Sequence, residues 1–315
     1  MDNFSASDIQ AAHEIIEPLI HHTPVMSSHS LNELAGAELF FKCEHLQLTG
    51  SFKFRGASHA VQCLASHVTS VATHSSGNHG AALARAAQVR GLSAHIVVPR
   101  NANSVKVDAI RHYGGEVVWC DNTLQARENT LAQVLELEDS HVVHPYDDLR
   151  IIAGQGTLGL EMWEQTGSLD CVITPVGGGG MLAGVATYMA DRCEVFGAEP
   201  LLADDAHRSF RSGTRVTEMQ TDTIADGLRA TLGERNFVLI QRHVEDIFCV
   251  TEEEIVAAMK LLWTRLKQTV EPSAAVTLAA LLKHKSYFQG KRVGLVLSGG
   301  NLDPNQLDYL HLSPG

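Results

Sequence analysis

Lys53 stands between Phe52 and Phe54 in the stretch Leu48-Thr49-Gly50-Ser51-Phe52-Lys53-Phe54-Arg55-Gly56-Ala57. An apolar slot disfavours an ammonium ion, so such a lysine moves toward the neutral amine, which can attack a carbonyl carbon. Gly50, Ser51, Gly56 and Ala57 are small enough to let a flat, bulky group come close to the backbone. The competing reading is a lysine snorkelling at the rim of a core.

Three other stretches carry residues that could do chemistry. The apolar run 171–176 reads as a buried strand, with Gly177-Gly178-Gly179-Gly180 next and an apolar helix opening at Met181. Glycines let successive N–H groups turn toward one point, and the helix N-terminus adds its positive end there, a cradle for phosphate. The alternative is a flexible linker. The glycines lack the spaced G-x-G-x-x-G pattern and no basic residue stands in the loop, so a small phosphorylated cofactor fits better than a dinucleotide or ATP. His74-Ser75-Ser76-Gly77-Asn78-His79-Gly80 likewise joins a strand to an Ala-rich helix. Its hydroxyls, amide and N–H groups make a seat for a carboxylate, or else ordinary helix capping with structural histidines. Glu199-Pro200-Leu201-Leu202-Ala203-Asp204-Asp205 offers two carboxylates and a backbone carbonyl, a hard oxygen set for Mg²⁺, Mn²⁺ or Ca²⁺. Capping of the next helix by Asp204 or Asp205 is the alternative.

The elements that position these residues are legible as alternating short apolar runs and helical patterns. Strands are expected at 39–43, 68–73, 94–98, 116–120, 142–144, 171–175, 194–198, 246–250 and 293–297, and helices at 81–89, 105–112, 124–137, 156–165 and 181–190. Such alternation argues for parallel sheets covered on both faces. Thr251 with Glu254 is a capping box, after which Ile255, Met259, Leu262 and Leu266 share a helix face. Nine strands are many for one open sheet, so two sheets with a cleft between them are expected.

Bulk properties narrow the class. A chain of 315 residues, 44% hydrophobic and 19% charged, reads as a globular protein with room for a full core. A net charge of −12 argues against nucleic acid or an anionic membrane as partner, though not against a small anion in a local pocket. The six cysteines are scattered without metal spacing, as free, mostly buried thiols of a reducing compartment. With no signal-like start and no apolar run of membrane-spanning length, the cytoplasm is the expected location.

The phenylalanine-flanked lysine, the Ser75-to-His79 loop, the tetraglycine turn and Leu297-Ser298-Gly299-Gly300-Asn301 occur in one order. Together they resemble the fold type II pyridoxal-phosphate enzymes, in the branch of serine/threonine dehydratases, serine racemases and threo-3-hydroxyaspartate dehydratases. The resemblance spans essentially the whole chain. It implies an α/β protein of two open, twisted parallel-sheet domains, like the tryptophan synthase β fold, with the site in the cleft. Residues 1–53 and 147–315 would form the larger cofactor domain, and 54–146 a small mobile one that takes the substrate carboxylate.

By the same resemblance, Lys53 would carry pyridoxal 5'-phosphate on its amine and Phe52 would pack near the ring. Asn78 would bond the ring hydroxyl. Gly177, Gly178, Gly179, Gly180 and Met181 would hold the phosphate, and Ser298 would meet the pyridine nitrogen. Lys53 would also be the base for the Cα proton, with Ser75, Asn78 and His79 on the substrate carboxylate. Ser76 would act on the face opposite Lys53, as a second proton carrier or as one more carboxylate-binding hydroxyl. Racemase-like relatives place their metal at positions matching Glu199, the Ala203 carbonyl and Asp205, with Mg²⁺ first. Arg127 and Tyr146 would line the outer side of the substrate; Arg127 would meet a second carboxylate or form a surface ion pair. Animal racemases tend to have asparagine where Tyr146 stands. The implied activity is dehydration of L-serine, L-threonine or threo-3-hydroxyaspartate to a 2-oxo acid and ammonia, in a homodimer. The alternatives are a serine or aspartate racemase that dehydrates on the side, and a cofactor-binding protein without turnover.

Overall fold

The structure, a computed structural model, describes residues 3–75, 77–102, 104–219, 221–304 and 308. Among them the strands are β1 (Val25–Met26), β2 (Glu38–Lys42), β3 (Ser70–His74), β4 (Ser93–Pro99), β5 (Glu116–Cys120), β6 (His141–Val142), β7 (Cys171–Pro175), β8 (Glu194–Pro200), β9 (Asp246–Val250) and β10 (Arg292–Val296). They form two sheets, ordered β1-β2-β10-β7-β8-β9 and β5-β4-β3-β6, parallel throughout except for the β1–β2 pair. The nine expected strands are all present. β1 was not expected, because a two-residue edge strand is too short to leave a pattern.

Both faces of the six-stranded sheet are buried, which is why its strands read as near-continuous apolar runs. On β7, Cys171 and Ile173 pack into a core shared with the helix Pro272–Lys283. Val172 between them faces a second core, shared with the helices Leu149–Thr166 and Gly180–Met189. A third core lies on the four-stranded sheet, around Phe54, Val71, Leu83 and Ile96.

The helix Leu149–Thr166 is the spacer between the lysine and the glycine turn. The apolar pattern marks only 156–165, but the helix starts at Leu149, where the Asp148 carboxylate accepts from Arg150 N at 2.8 Å. Its glycines, poor helix formers in isolation, are required by contact. A Cβ on Gly154 would stand 2.7 Å from Gly56 Cα, in the helix Lys53–Gln62. On its other side, a Cβ on Gly184 would stand 2.7 Å from Gly156 N. Backbone-to-backbone packing on both flanks thus fixes how far Lys53 lies from the glycine turn.

A fully buried cluster of charges sits behind the Lys53 helix. Arg55 bonds Glu44 through Nε (2.7 Å) and Nη2 (2.8 Å), and Glu161 through Nη1 (2.6 Å) and Nη2 (2.8 Å). Lys42 adds a 2.7 Å bond to Glu161, and all four side chains are at most 1% exposed. Two cations and two anions leave the cluster neutral.

The expected capping box is present: Thr251 Oγ1 accepts from Glu254 N at 3.3 Å and Glu254 Oε2 accepts from Thr251 N at 2.8 Å. Ile255, Met259, Leu262 and Leu266 are buried, although the last turn, Leu262–Leu266, is π-helical. The six cysteines are free; Cys63 is exposed and the rest are buried or partly buried. No helix among the described residues is long and apolar enough to cross a membrane.

Candidate active site

Four loops leave the C-terminal ends of parallel strands and meet around Lys53. The glycine turn follows β7 and Ser298-Gly299-Gly300 follows β10, its sheet neighbour, where the strand order reverses. Ser75 follows β3, Gly77 leads into the helix Asn78–Arg90, and Pro145 and Tyr146 follow β6. Lys53 opens its helix immediately beside the β10 exit: Phe52 N donates to Ser298 O at 3.0 Å, Gly300 N donates to Gly50 O at 3.0 Å, and Ser51 pairs with Gly299. Ser298 is buried.

Lys53 Nζ donates to Pro145 O at 2.9 Å and lies 5.1 Å from the centroid of the Phe52 ring. Burial pushes its amine down to about 8, against the opposing pull of the Glu271 carboxylate. Between about 8 and the ordinary 10.5 the unfolded chain holds a proton that the folded one has released, so this group's contribution to stability rises with pH across that window. For the cofactor-free protein, the slope of unfolding free energy against pH there is expected to be more positive than for Lys53→Met. Equal slopes would mean an ordinary solvated ammonium.

In the glycine turn, Gly177 (φ 54°) and Gly179 (φ 87°) are left-handed and alternate with Gly178 and Gly180. A Cβ on Gly178 would collide with the Tyr146 ring, and one on Gly180 would stand 2.9 Å from Tyr146 O. The Gly178 carbonyl is already taken by Asn236 Nδ2 (2.6 Å) and Gly233 N (3.1 Å). Gly179 N donates to Val176 O at 3.1 Å, and the N–H groups on either side of it, at the start of the helix Gly180–Met189, make an anion seat. Nearby, Thr49 Oγ1 and Ser51 Oγ are buried without hydrogen-bond partners. A weakly basic lysine, a donor-rich turn and orphaned hydroxyls fit a phosphorylated aldehyde such as pyridoxal phosphate.

The segment expected to seat a carboxylate runs from the end of β3 into a helix. Asn78 and His79 open the helix Asn78–Arg90, and Ser75 Oγ accepts from Gly77 N at 3.3 Å. Ser76 lies outside the described residues. His79 is 2% exposed, with Nε2 3.3 Å from Val143 O. Because a carbonyl can only accept, that contact makes Nε2 the protonated nitrogen. Burial first, then the charge of Lys53, holds the imidazole well below its usual range, so it stays neutral. In this geometry the His79 imidazole has no second N–H and braces the end of β6, so what His79 has left for a carboxylate is its backbone N–H in the first turn of the helix.

Arg127, on the helix Leu124–Glu138, is half-buried and its Nε is sealed without a hydrogen-bond partner. Its charge is felt by His74, next to Ser75, where burial and then Arg127 lower the imidazole. Tyr146 stacks edge-on against His144, ring centroids 4.7 Å apart, and burial raises its phenol.

Glu199 is the last residue but one of β8, Ala203 closes the short turn Leu201–Ala203, and Asp205 opens the helix Asp205–Ser212. Glu199, not an aspartate, caps that helix, accepting from His207 N at 2.6 Å, while Asp205 Oδ2 accepts from Leu232 N at 2.8 Å. Both carboxyls are 1% exposed. Burial lifts Glu199 well above the usual range and Asp205 to about 6. Among the described residues no three His, Cys, Asp or Glu side chains gather to hold a metal. The expected set needs only two of them plus the Ala203 carbonyl, and these oxygen donors fit a hard cation.

Sequence reasoning missed Glu271 and the Lys106–Asp226 ion pair. Glu271 caps the helix Pro272–Lys283 and accepts from Asn78 Nδ2 at 2.8 Å. Lys106 comes from the helix between β4 and β5, Asp226 from the turn Asp226–Leu228, so their pair joins the two sheets' sides of the cleft. Neither has a local motif; the Glu271-Pro272 helix start was the available signal.

A lysine of weakened basicity, set at a switch point beside an anion turn, defines an enzyme that holds a phosphorylated aldehyde. Comparison with known proteins is specific: the family model "Pyridoxal-phosphate dependent enzyme" matches residues 16–299, and the chain belongs to that family. It is 49% identical to a serine racemase of Dictyostelium discoideum, covering 98% of both chains. It is 46% identical to a beta-hydroxyaspartate dehydratase of Paracoccus denitrificans, covering 96% of this chain and 98% of the other. Among solved structures, maize serine racemase superposes with a TM-score of 0.93 at 41% identity, covering 96% of this chain and 95% of that one.

Proposed function

We propose that this protein is a pyridoxal-phosphate-dependent dehydratase that converts L-serine, L-threonine or threo-3-hydroxyaspartate to a 2-oxo acid and ammonia, with racemisation at Cα as a second outcome. The observation that carries this reading is Lys53, its amine weakened by burial and bonded to Pro145 O, with the adjoining Phe52 N bonded to Ser298 O. When bound, the cofactor supplies an electron sink for the pair left on Cα.

The chain's own residues do the rest. Lys53 holds the cofactor, then takes the Cα proton as a neutral base. The turn of Gly177, Gly178, Gly179, Gly180 and Met181 binds phosphate through its free N–H groups, Phe52 flanks the ring, Asn78 bonds the ring oxygen and Ser298 faces the ring nitrogen. Ser75 orients the substrate carboxylate together with the backbone N–H groups of Asn78 and His79 in the first turn of their helix, while the His79 imidazole braces that segment. Ser76 gives or takes a proton on the opposite face, the second carrier that racemisation needs. The unpartnered Nε of Arg127 supports a second carboxylate, hence threo-3-hydroxyaspartate. Tyr146 closes the outer side.

The test is incubation of the cofactor-loaded protein with L-serine, L-threonine and both threo-3-hydroxyaspartates, assaying keto acid and enantiomer. Keto acid as the main product supports the dehydratase. D-amino acid in excess of keto acid turns the assignment to a serine or aspartate racemase, the reading favoured by the Dictyostelium and maize relatives. A bound cofactor with no product from any substrate leaves a binding protein.

The proposal includes Mg²⁺, or Mn²⁺ or Ca²⁺, on Glu199, Ala203 and Asp205. EDTA is then expected to lower both activity and unfolding temperature, with Mg²⁺ restoring them, and Asp205→Ala to abolish the response. If chelation changes neither, the metal drops out. It also includes a homodimer in the cytoplasm, and a small mobile domain of residues 54–146, the segment that contains the four-stranded sheet, closing on the remainder.

A further inference from the structure

The amide of Asn78 is pinned at both ends, and the direction of each hydrogen bond follows from one fixed point. Thr49 O can only accept, so the Asn301 atom 2.8 Å from it is the amide nitrogen. The same nitrogen lies 2.9 Å from Asn78, which must therefore present its carbonyl oxygen, Oδ1. Asn78 Nδ2 is thereby turned to Glu271 Oε1, 2.8 Å away. One N–H of that amide is spent on Glu271, and one remains for another acceptor.

The surroundings are built for this relay. Thr49 is left-handed (φ 64°), a costly conformation for a β-branched residue. A Cβ on Gly299 would stand 2.6 Å from Glu271 Oε1 and 3.2 Å from Asn78 Nδ2. Glu271 is 2% exposed and its second oxygen is buried without a partner, so the carboxylate is committed to Asn78 at a desolvation cost.

We propose that Glu271 is a positioning residue: with Asn301 it locks the Asn78 amide so that the remaining N–H serves the ring oxygen of the bound cofactor. The inference rests on the proposed role of Asn78. It also explains why the cleft's two sides are joined there, because Asn78 opens the helix that follows β3 whereas Glu271 and Asn301 flank the six-stranded sheet.

The test measures pyridoxal phosphate affinity and the pH titration of its visible band, in Glu271→Gln, Glu271→Met, Asn301→Leu, Asn78→Ala and the Glu271→Met/Asn78→Ala double variant. Glutamine keeps an acceptor and is expected to hold affinity within about twofold, whereas methionine, of similar size, weakens it about tenfold, as loss of a buried acceptor that leaves its donor unpaired would. The band titration shifts in the methionine variant. In the Asn78→Ala background Glu271→Met adds less than about twofold, because a residue acting through Asn78 has nothing left to act on. Asn301→Leu removes the other pin and carries the same expectation if Glu271→Met does not fold. Equal losses for glutamine and methionine, or losses that add in the double variant, overturn the inference. Wild-type protein that forms no borohydride-reducible adduct at Lys53 overturns the underlying reading instead.

Discussion

Replacing Lys53 with alanine is expected to reduce keto acid formation ~10³-fold or more, since it removes both the covalent anchor and the general base. The fold should survive. The side chain makes one hydrogen bond, to Pro145 O at 2.9 Å, and is only half-buried. Its helix is held instead by Gly56 against Gly154 and by Arg55 in the charge cluster. The variant is therefore checked by keto acid assay alongside far-UV circular dichroism and thermal unfolding. Borohydride reduction followed by peptide mass mapping should find the adduct at Lys53 in the wild type and nowhere in the variant. A folded Lys53→Ala protein retaining a tenth of the wild-type rate would show that another group starts the chemistry.

The second large effect is on stability. Glu161→Gln removes one of two anions from a sealed site and leaves the cations Lys42 and Arg55 facing Glu44 alone. Breaking a buried pair by taking away one partner costs about 3–5 kcal/mol, because an uncompensated charge stays behind. Urea denaturation should show that loss as a lower midpoint, and a change of less than about 1 kcal/mol would mean the cluster is hydrated. Acid reads the same site in the wild type. Burial alone would raise the Glu161 carboxyl, but the hydrogen bonds and charge of Arg55, with Lys42, hold it at about 2. A depressed folded value means that the contribution is whole above the ordinary 4.5 and disappears as pH falls toward 2. Glu161→Gln should lack that part of the acid transition.

What the sequence made legible was what is local. The strand β7, its glycine turn and the helix after it occupy consecutive residues, and each signals itself by apolar run, glycine and renewed periodicity. The Thr251 capping box is a four-residue signal and was readable for the same reason. Lys53 was legible through its neighbours Phe52 and Phe54. The partners that fix it were not. Asn78 and Glu271 are 193 positions apart, Arg55 and Glu161 are 106, and no periodicity links such pairs. The first two turns or so of the Leu149 helix were lost because Gly154 interrupts the apolar pattern until the neighbouring backbone is in view. His79 shows the limit in another way: the family resemblance implied a carboxylate ligand, but which imidazole nitrogen carries the proton depends on Val143 O, 64 positions on.

The Lys106–Asp226 pair leads to one further expectation. Asp226 is 41% exposed, so this bridge between the two sides of the cleft is in contact with solvent, unlike the sealed Arg55 cluster. Counterions shield such a bridge: the screening length is about 8 Å at physiological ionic strength and about 3 Å in molar salt. Added sodium chloride should therefore loosen the cleft while leaving the core beneath it untouched. It is expected to raise KM before it lowers the unfolding temperature, with a smaller rise in Lys106→Gln.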